Sequence, residues 1–407
     1  MADGRPEGQS TRFFFLYALA LAGGTIAYVP FLSILLPMQV ATLAGEEAKV
    51  AWLAYLTFAG AFAASVAGIG FGWLSDRIKA RPPLVIAGLV LSSLVLAAFG
   101  RATSFGMLLG MLIIWQIALN LMLAPLAAWA GDYVPDHQKG TLGGWLAMAP
   151  AAGAMATAFV TWPGLASADQ RLWLVAALAA ALVLPGVLLA RPRAFPALRA
   201  APAPQQASGA GALIASLRSP AVARMWLARL LVQIAQAALF AFLYFWLRAL
   251  DQTFDDARIA RLYGAVLLVS IPVTLLAGRW SDKHARPLAP LPVTATIAAG
   301  GLIAMAFAET AFLAVIGYVV FALATAVFLA LHSAQTLRVL TDPARRAEHL
   351  GWFNLTNTAP AMIMPWLTLA VEPTFGFAGL FMILAGCTLL AAVLLARIPR
   401  SGPQNPA

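Results

Sequence analysis

Cysteine is nearly absent: Cys387 is the single one. No intramolecular disulfide can form, no cysteine-based metal cluster can be built, and this one thiol, set in an apolar run, reads as a small packing residue. Charge is scarce as well. Only 10% of the 407 residues are charged while 62% are apolar, against roughly 25% charged in soluble domains, so the chain reads as an integral membrane protein. Acids are missing where they would be most telling. Asp132, Glu309 and Glu372 stand at the ends of apolar runs and none stands at mid-run, which removes the paired aspartates, or the nucleophile with its base, that an intramembrane enzyme needs. The net charge of +10 is scattered as twos and threes of basic residues. Without a continuous basic face or aromatic-interleaved patch, nucleic acid is excluded as a partner.

What the chain has in quantity is apolar segments of about 20 residues, the length that crosses a bilayer. Twelve can be drawn, at 13–38, 50–74, 84–100, 105–130, 141–162 and 171–190, then 221–249, 259–280, 288–307, 311–337, 350–371 and 376–396. The first is too long for a signal-peptide core and lacks a small-residue cleavage pattern, so it reads as a span. The expected architecture is an all-α integral membrane fold of twelve helices in two six-helix halves. Its parts are an N-terminal tail (1–12), a first half (13–190), a linker (191–220), a second half (221–397) and a C-terminal tail (398–407). The linker is rich in Pro, Ala, Arg, Gln and Ser and flexible at its centre, with a short helix at Ala212–Leu217. It is too short for a soluble signalling domain, which argues against a receptor.

Two landmarks show a duplication. Gly72-Trp-Leu-Ser-Asp-Arg-Ile-Lys-Ala-Arg-Pro82, a charged loop between apolar segments, returns 206 residues later as Gly278-Arg-Trp-Ser-Asp-Lys-His-Ala-Arg-Pro287. Gly144-Trp145 before Ala149-Pro150 is echoed by Gly351-Trp352 before Ala359-Pro360, with Trp145 and Trp352 displaced by 207. Nearly equal offsets mean two halves built alike. With both termini cytoplasmic, nineteen of the 26 lysines and arginines fall inside, six outside and Arg229 at membrane depth. That asymmetry orients the chain. Prolines inside spans (Pro30, Pro37, Pro125, Pro150, Pro185, Pro272, Pro360 and Pro365) mark helix bends.

These loops carry a resemblance. Gly72-x-Leu74-Ser75-Asp76-Arg77 closing with Arg81-Pro82 is similar to the signature loop between spans two and three of the major facilitator superfamily, and Gly278 to Pro287 to its partner between spans eight and nine. The resemblance implies a transporter that works by alternating access. It also implies a cytoplasmic conformational latch at Gly72, Asp76, Arg77, Arg81, Gly278, Asp282, Lys283 and Arg286, with Asp76 meeting the positive end of span eleven's helix dipole and Gly72 admitting a close neighbour. Asn120, Pro125, Asp132, Lys139-Gly140 and the Arg229 to Phe245 stretch resemble, more loosely, glycoside and sucrose-type carriers. Ala149-Pro150-Ala-Ala-Gly153 is a loose version of the span-five motif of drug:proton antiporters, but the arginine those carry in span four is absent.

Polar groups in hydrocarbon are costly unless they face a partner or a wet cavity. They occur at Gln116 and Asn120 of span four, Arg229, Gln233 and Gln236 of span seven, His332 and Gln335 of span ten, and Asn354 and Asn357 of span eleven, with none deep in spans three, six, nine or twelve. Arg229, Gln233 and Gln236 fall at i, i+4 and i+7 and are continued by Phe240 and Tyr244 on the same stripe. Tyr28 of span one, Gln116, Asn120, Arg229, Gln233, Gln236, Tyr244, His332, Gln335 and Asn357 are the candidate substrate-binding residues; interhelical packing is the competing reading for each amide. His332 reads either as a proton carrier or as a hydrogen-bonding packer. The expected function is a secondary carrier of a small organic solute, sugar-like or otherwise hydroxylated or anionic, with export of drugs or amphipathic compounds as the alternative. The expected partners are that solute, the lipid bilayer and a coupling proton, with no cofactor and no metal. The expected setting is a monomer in the inner or plasma membrane.

Overall fold

In a computed structural model of the chain, the described residues are 8–78, 80–135, 138–146, 148–195, 220–283, 288–339 and 346–398. The expected Ala212–Leu217 helix, the linker centre and Arg286 lie outside them, as do the side chains of Asp282 and Asn354. All regular structure among the described residues is helical. The helices are α1 (Thr11–Pro30), which runs through a π-turn (Phe31–Leu35) into α2 (Leu36–Ile78), then α3 (Arg81–Ala98), α4 (Phe105–Tyr133), α5 (Lys139–Leu146), α6 (Ala149–Val160) and α7 (Ala168–Leu189). After the linker come α8 (Pro220–Leu250), α9 (Asp256–Lys283), α10 (Pro290–Ala306), α11 (Ala311–Val339) and α12 (Arg346–Ala396).

Among the described residues eight helices are long and apolar enough to cross a membrane, and Ala149–Val160 and Pro290–Ala306 are shorter apolar ones. The first of the eight, Thr11–Ile78, counts 68 residues. At 1.5 Å per residue it would be about 100 Å long, over three times a hydrocarbon core, and Gly45 breaks it with φ 69° and ψ 176°. Gly376, at φ 63°, breaks the 51 residues of α12 in the same way. The expected connections around 39–49 and 372–375 are therefore mostly helix, each turned by one residue free to adopt positive φ. The expected charged loop at 72–82 is corrected likewise. Gly72 to Ile78 are the last two turns of α2, and α3 begins at Arg81, with prolines in its first turn where a missing N–H costs nothing.

The helices form two compact units, Met1–Pro202 with Asp255–Gly264, and Ala203–Phe254 with Ala265–Ala407. In the first, α1 packs on α6 and α7, and α4 on α2 and α3. Glycines permit these approaches: a side-chain carbon at Gly186 would stand 2.6 Å from the Leu16 carbonyl, and one at Gly88 2.7 Å from the Leu121 backbone. Phe13 and Tyr17 of α1 stack at 5.9 Å, with Trp129 of α4 edge-on to both, and the Tyr17 hydroxyl donates to the Leu126 carbonyl at 2.9 Å.

One end of this unit is tied by Gln9, which is buried. Its side-chain Nε2 donates to the Tyr133 and Arg193 carbonyls, both at 2.7 Å, its Oε1 accepts from Arg193 N at 3.0 Å, and its backbone N–H donates to Gln138 Oε1 at 2.6 Å. The chain start, the α4–α5 connection and the exit from α7 thus share an end, and the pairing of Arg81 with Asp132 brings the α2–α3 turn there. This is the end where the basic residues were expected to gather. Towards the other end Phe31 meets Phe99 and Trp115, each at 4.7 Å, and Arg171 Nη1 donates to Asp256 Oδ2 at 3.0 Å.

In the second unit, Met225, Ala228 and Val232 of α8 share a core with Leu291 and Ala295 of α10, Phe328 and Leu331 of α11, and Ala391, Ala392 and Leu395 of α12. Arg224 Nη1 donates to the Arg397 carbonyl at 2.6 Å, joining the start of α8 to the end of α12. The outward faces are apolar: Val90, Leu91 and Leu94 on α3, Leu188 and Leu189 on α7, Val293 and Ile297 on α10, and Leu389, Leu390 and Val393 on α12 are exposed. Such faces suit acyl chains rather than water.

Candidate functional site

Three helices of the second unit converge on Arg229. Its Nη1 donates to Ser333 Oγ at 2.8 Å and lies 3.5 Å from His332 Nδ1, both on α11. Its Nη2 is 3.3 Å from the side-chain amide of Asn357 on α12. The Gln233 amide, one turn along α8, sits 2.9 Å from Arg229 Nε, 2.9 Å from the Asn357 amide and 2.7 Å from the Thr356 carbonyl. Its oxygen belongs towards Arg229 and its nitrogen towards Thr356, because the reverse would set two donors face to face.

His332 is fully buried, and its Nε2 lies 2.9 Å from the Met225 carbonyl. A carbonyl only accepts, so Nε2 carries the proton and Nδ1 turns a lone pair to Arg229. The histidine therefore acts as a fixed acceptor that orients the guanidinium. Ser333 and Asn357 are exposed, leaving one side of the cluster open.

The other candidates of this unit lie apart from that group. Gln236 is exposed on α8. The Tyr244 hydroxyl, four turns beyond Arg229, accepts from Arg248 Nη1 at 2.9 Å under a guanidinium 5.5 Å from its ring. Gln335 is buried, and its Oε1 has no hydrogen-bond partner among the described residues.

In the first unit the span-four amides face α2. A side-chain carbon at Gly60 would be 3.3 Å from Gln116 Nε2, and one at Gly68 3.4 Å from Asn120 Oδ1. Asn120 Nδ2 donates to the Gln116 carbonyl at 2.9 Å, back-bonding to its own helix. Half-buried Tyr28 lies beside Thr25 on α1, where Gly153 of α6 lets Thr25 and Val29 pack closely.

A second polar network of this unit surrounds Arg81. Its Nε and Nη2 grip both oxygens of Asp132 at 2.5 and 2.9 Å, Nη2 also donates to Asp76 Oδ1 at 2.8 Å, and Nη1 donates to Ser75 Oγ at 2.6 Å.

The family model described as Major Facilitator Superfamily matches residues 13–337 and 249–407. The chain belongs to that superfamily. Among solved structures it is similar to the nucleoside transporter NupG (TM-score 0.73, 14% identity, 95% of this chain and 98% of that one). It is also similar to a bacterial homologue of the human lysosomal transporter Spinster in an inward-facing, unoccupied conformation (TM-score 0.67, 17% identity, 94% and 93%). At such identities the likeness is one of fold. A search of curated protein sequences finds no match.

Membership makes this a multi-pass membrane protein of a transporter superfamily, with a small-molecule substrate and the bilayer as partners. Of the positions expected to form a latch, Asp76 is in the last turn of α2, where its charge opposes the negative end of its own helix dipole. Arg81 offsets that. Arg77 is exposed with its guanidinium 5.6 Å from the Trp73 ring. At Gly72 a side-chain carbon would meet no described residue within 4 Å, and at Gly278 only Leu331 at 4.0 Å. Lys283 is exposed at the end of α9.

Ser75 and Asp132 around Arg81, and Ser333 and Thr356 around Arg229, were not among the expected site residues. Asp132 had a usable signal. It is the acid at the end of span four on the side where span three begins with Arg81. Ser333 had none, because serine is common in helices that pack.

Proposed function

We propose that this chain is a secondary carrier that moves a small organic solute, sugar-like or otherwise hydroxylated or anionic, across the inner or plasma membrane by alternating access. The observation that carries this reading is the convergence of an arginine, two amides, a hydroxyl and an imidazole from three helices on one point with an open side. Polar groups at membrane depth mark solute pathways, and oriented donors among apolar walls suit a polar solute better than an amphipathic one. The test is uptake by proteoliposomes of the full chain against sugars, nucleosides, hydroxy acids and amphipathic drugs, with and without a pH gradient. The expected result is saturable uptake of one polar class, lost in Arg229→Gln. Uptake confined to amphipathic compounds, or indifferent to Arg229, defeats the reading; a gradient effect establishes proton coupling.

Both termini and the linker are proposed to be cytoplasmic, from the nineteen-to-six basic asymmetry. In a Cys387→Ser background, single cysteines at Ser208 and at Ala44 should be labelled by an impermeant reagent from opposite sides. Labelling of both from one side defeats the orientation.

The α2–α3 turn is proposed to act as a conformational latch through Asp76. The Asp76 side chain is 62% exposed, so its bond to Arg81 contributes little to stability, on the order of 0.5 kcal/mol. Asp76→Asn should leave the melting temperature within a degree or two while slowing turnover several-fold. Unchanged turnover would reduce the turn to a topological signal.

A further inference from the structure

Arg229 holds a full positive charge among neutral partners. The groups against its guanidinium are Ser333 Oγ, His332 Nδ1 and the amides of Asn357 and Gln233, and among the described residues none is a carboxylate. Two other arginines with enclosed side chains differ in this. Arg81 has Asp132 and Asp76, and Arg171 has Asp256. A guanidinium at membrane depth without a counter-charge is costly, and among the described residues of the cluster none supplies one.

His332 cannot, because its Nε2 proton is committed to the Met225 carbonyl and protonation at Nδ1 would place a second cation against the first. Instead, His332, Gln233 and Ser333 hold the planar fork in one orientation, and exposed Ser333 and Asn357 mark the side from which something can approach it. Nε meets Gln233, Nη1 meets Ser333 and His332, and Nη2 meets Asn357. Among the described residues four of the five N–H groups are thus engaged, and one on Nη2 is left to meet an incoming oxyanion by a charge-assisted hydrogen bond.

We propose that the solute carries an oxyanion, of carboxylate or phosphate type, which docks on Nη2 of Arg229 and supplies the missing counter-charge. This rests on the reading of the cluster as the solute site. It narrows the hydroxylated or anionic class to the anionic one.

The experiment measures ligand-induced thermal shifts and affinities for the full chain in phosphatidylcholine nanodiscs at matched ionic strength. The probes are charged and neutral partners: gluconate against glucose, benzoate against benzamide, and glycerol 3-phosphate against glycerol. Hydrogen bonds to a charged group correspond to about 10- to 100-fold in affinity. At least one charged member should therefore bind that much more tightly than its partner, and the preference should vanish in Arg229→Gln and shrink in Arg229→Lys, which keeps the charge but not the fork. Both variants must elute as folded monodisperse protein for the comparison to count; if Arg229→Gln does not fold, Asn357→Ala and Arg229→Lys carry the test.

No charged preference in the wild type overturns the inference. If neutral members bind and depend on Arg229 and Asn357, the solute-site reading survives and only the charge class falls; if binding ignores both residues, the site reading falls with it. Displacement of the charged probe by added phosphatidylglycerol would assign the oxyanion to a lipid headgroup and overturn it for a solute.

Discussion

Arg81→Ala should destabilise the first unit by about 2 to 3 kcal/mol, more than any other single charge removal among its described residues. Breaking a buried pair by deleting one partner costs about 3 to 5 kcal/mol, because the survivor is left charged and unpaired. That range needs lowering here. The Arg81 side chain is 10% exposed but those of Asp132 and Asp76 are 30% and 62% exposed, so water partly solvates the carboxylates left behind. What water cannot replace is the join. Arg81 stands at the start of α3, Asp132 near the end of α4 and Ser75 near the end of α2, so one side chain ties three helix ends.

Arg81→Lys keeps the charge without the fork, and should fall midway between wild type and Arg81→Ala. The measurement is thermal unfolding in detergent, set as a double-mutant cycle with Asp132→Ala. A coupling energy below about 0.5 kcal/mol, the scatter expected of independent sites, would sink the claim. Together with the small effect expected of Asp76→Asn, this separates a structural carboxylate from a conformational one inside a single network.

The duplication was legible because a loop sequence repeated at a nearly constant offset is a covalent fact that no tertiary context can alter. That the chain is a multi-pass membrane protein was legible for a similar reason, since about 20 apolar residues have one use in a bilayer. Span boundaries were less so, because helix runs on through expected connections up to Gly45 and Gly376. Partners were harder. Helical spacing set Arg229, Gln233, Gln236 and Tyr244 on one stripe, but period fixes only the face of a helix and not what covers it. The structure brings the first two to Asn357 and His332, leaves Gln236 exposed and gives Tyr244 to Arg248.

Gln116 and Asn120 make the same point from the other side. Their i, i+4 spacing is as good as any in the chain, yet their amides lie over Gly60 and Gly68, whose missing side chains make the room. Glycine in a sequence does not announce which neighbour it is small for. The helical turns at Gly72 to Ile78 were read as loop because they are charged; charge ends the hydrocarbon, but only the backbone ends a helix, here just before Arg81.

Gly301→Val should cost about 3 kcal/mol, the upper end of what overpacking a core costs, while Gly300→Val should stay within about 0.5 kcal/mol of wild type. The two glycines are consecutive in α10 and differ in what stands over them. A side-chain carbon at Gly301 would lie 2.6 Å from the Phe321 backbone nitrogen and 2.7 Å from the Gly317 carbonyl oxygen, whereas one at Gly300 meets no described residue within 4 Å. Backbone atoms of a neighbouring helix cannot rotate aside as a side chain would, so α10 and α11 must part. Parting them unseats buried Leu302, Met305, Ala314 and Phe321 together. The contact is reciprocal, since a carbon at Gly317 would lie 2.9 Å from the Gly301 carbonyl, and Gly317→Val should match Gly301→Val.

Any effect of replacing glycine by a β-branched residue in a helix is common to all three variants, so Gly300→Val subtracts it. With α11 carrying His332 and Ser333, the displaced helix should also weaken whatever binds at Arg229, even though no cluster residue has been changed. Thermal unfolding of the three variants decides the matter: equal melting temperatures for Gly300→Val and Gly301→Val would mean that α10 and α11 do not meet at this glycine pair.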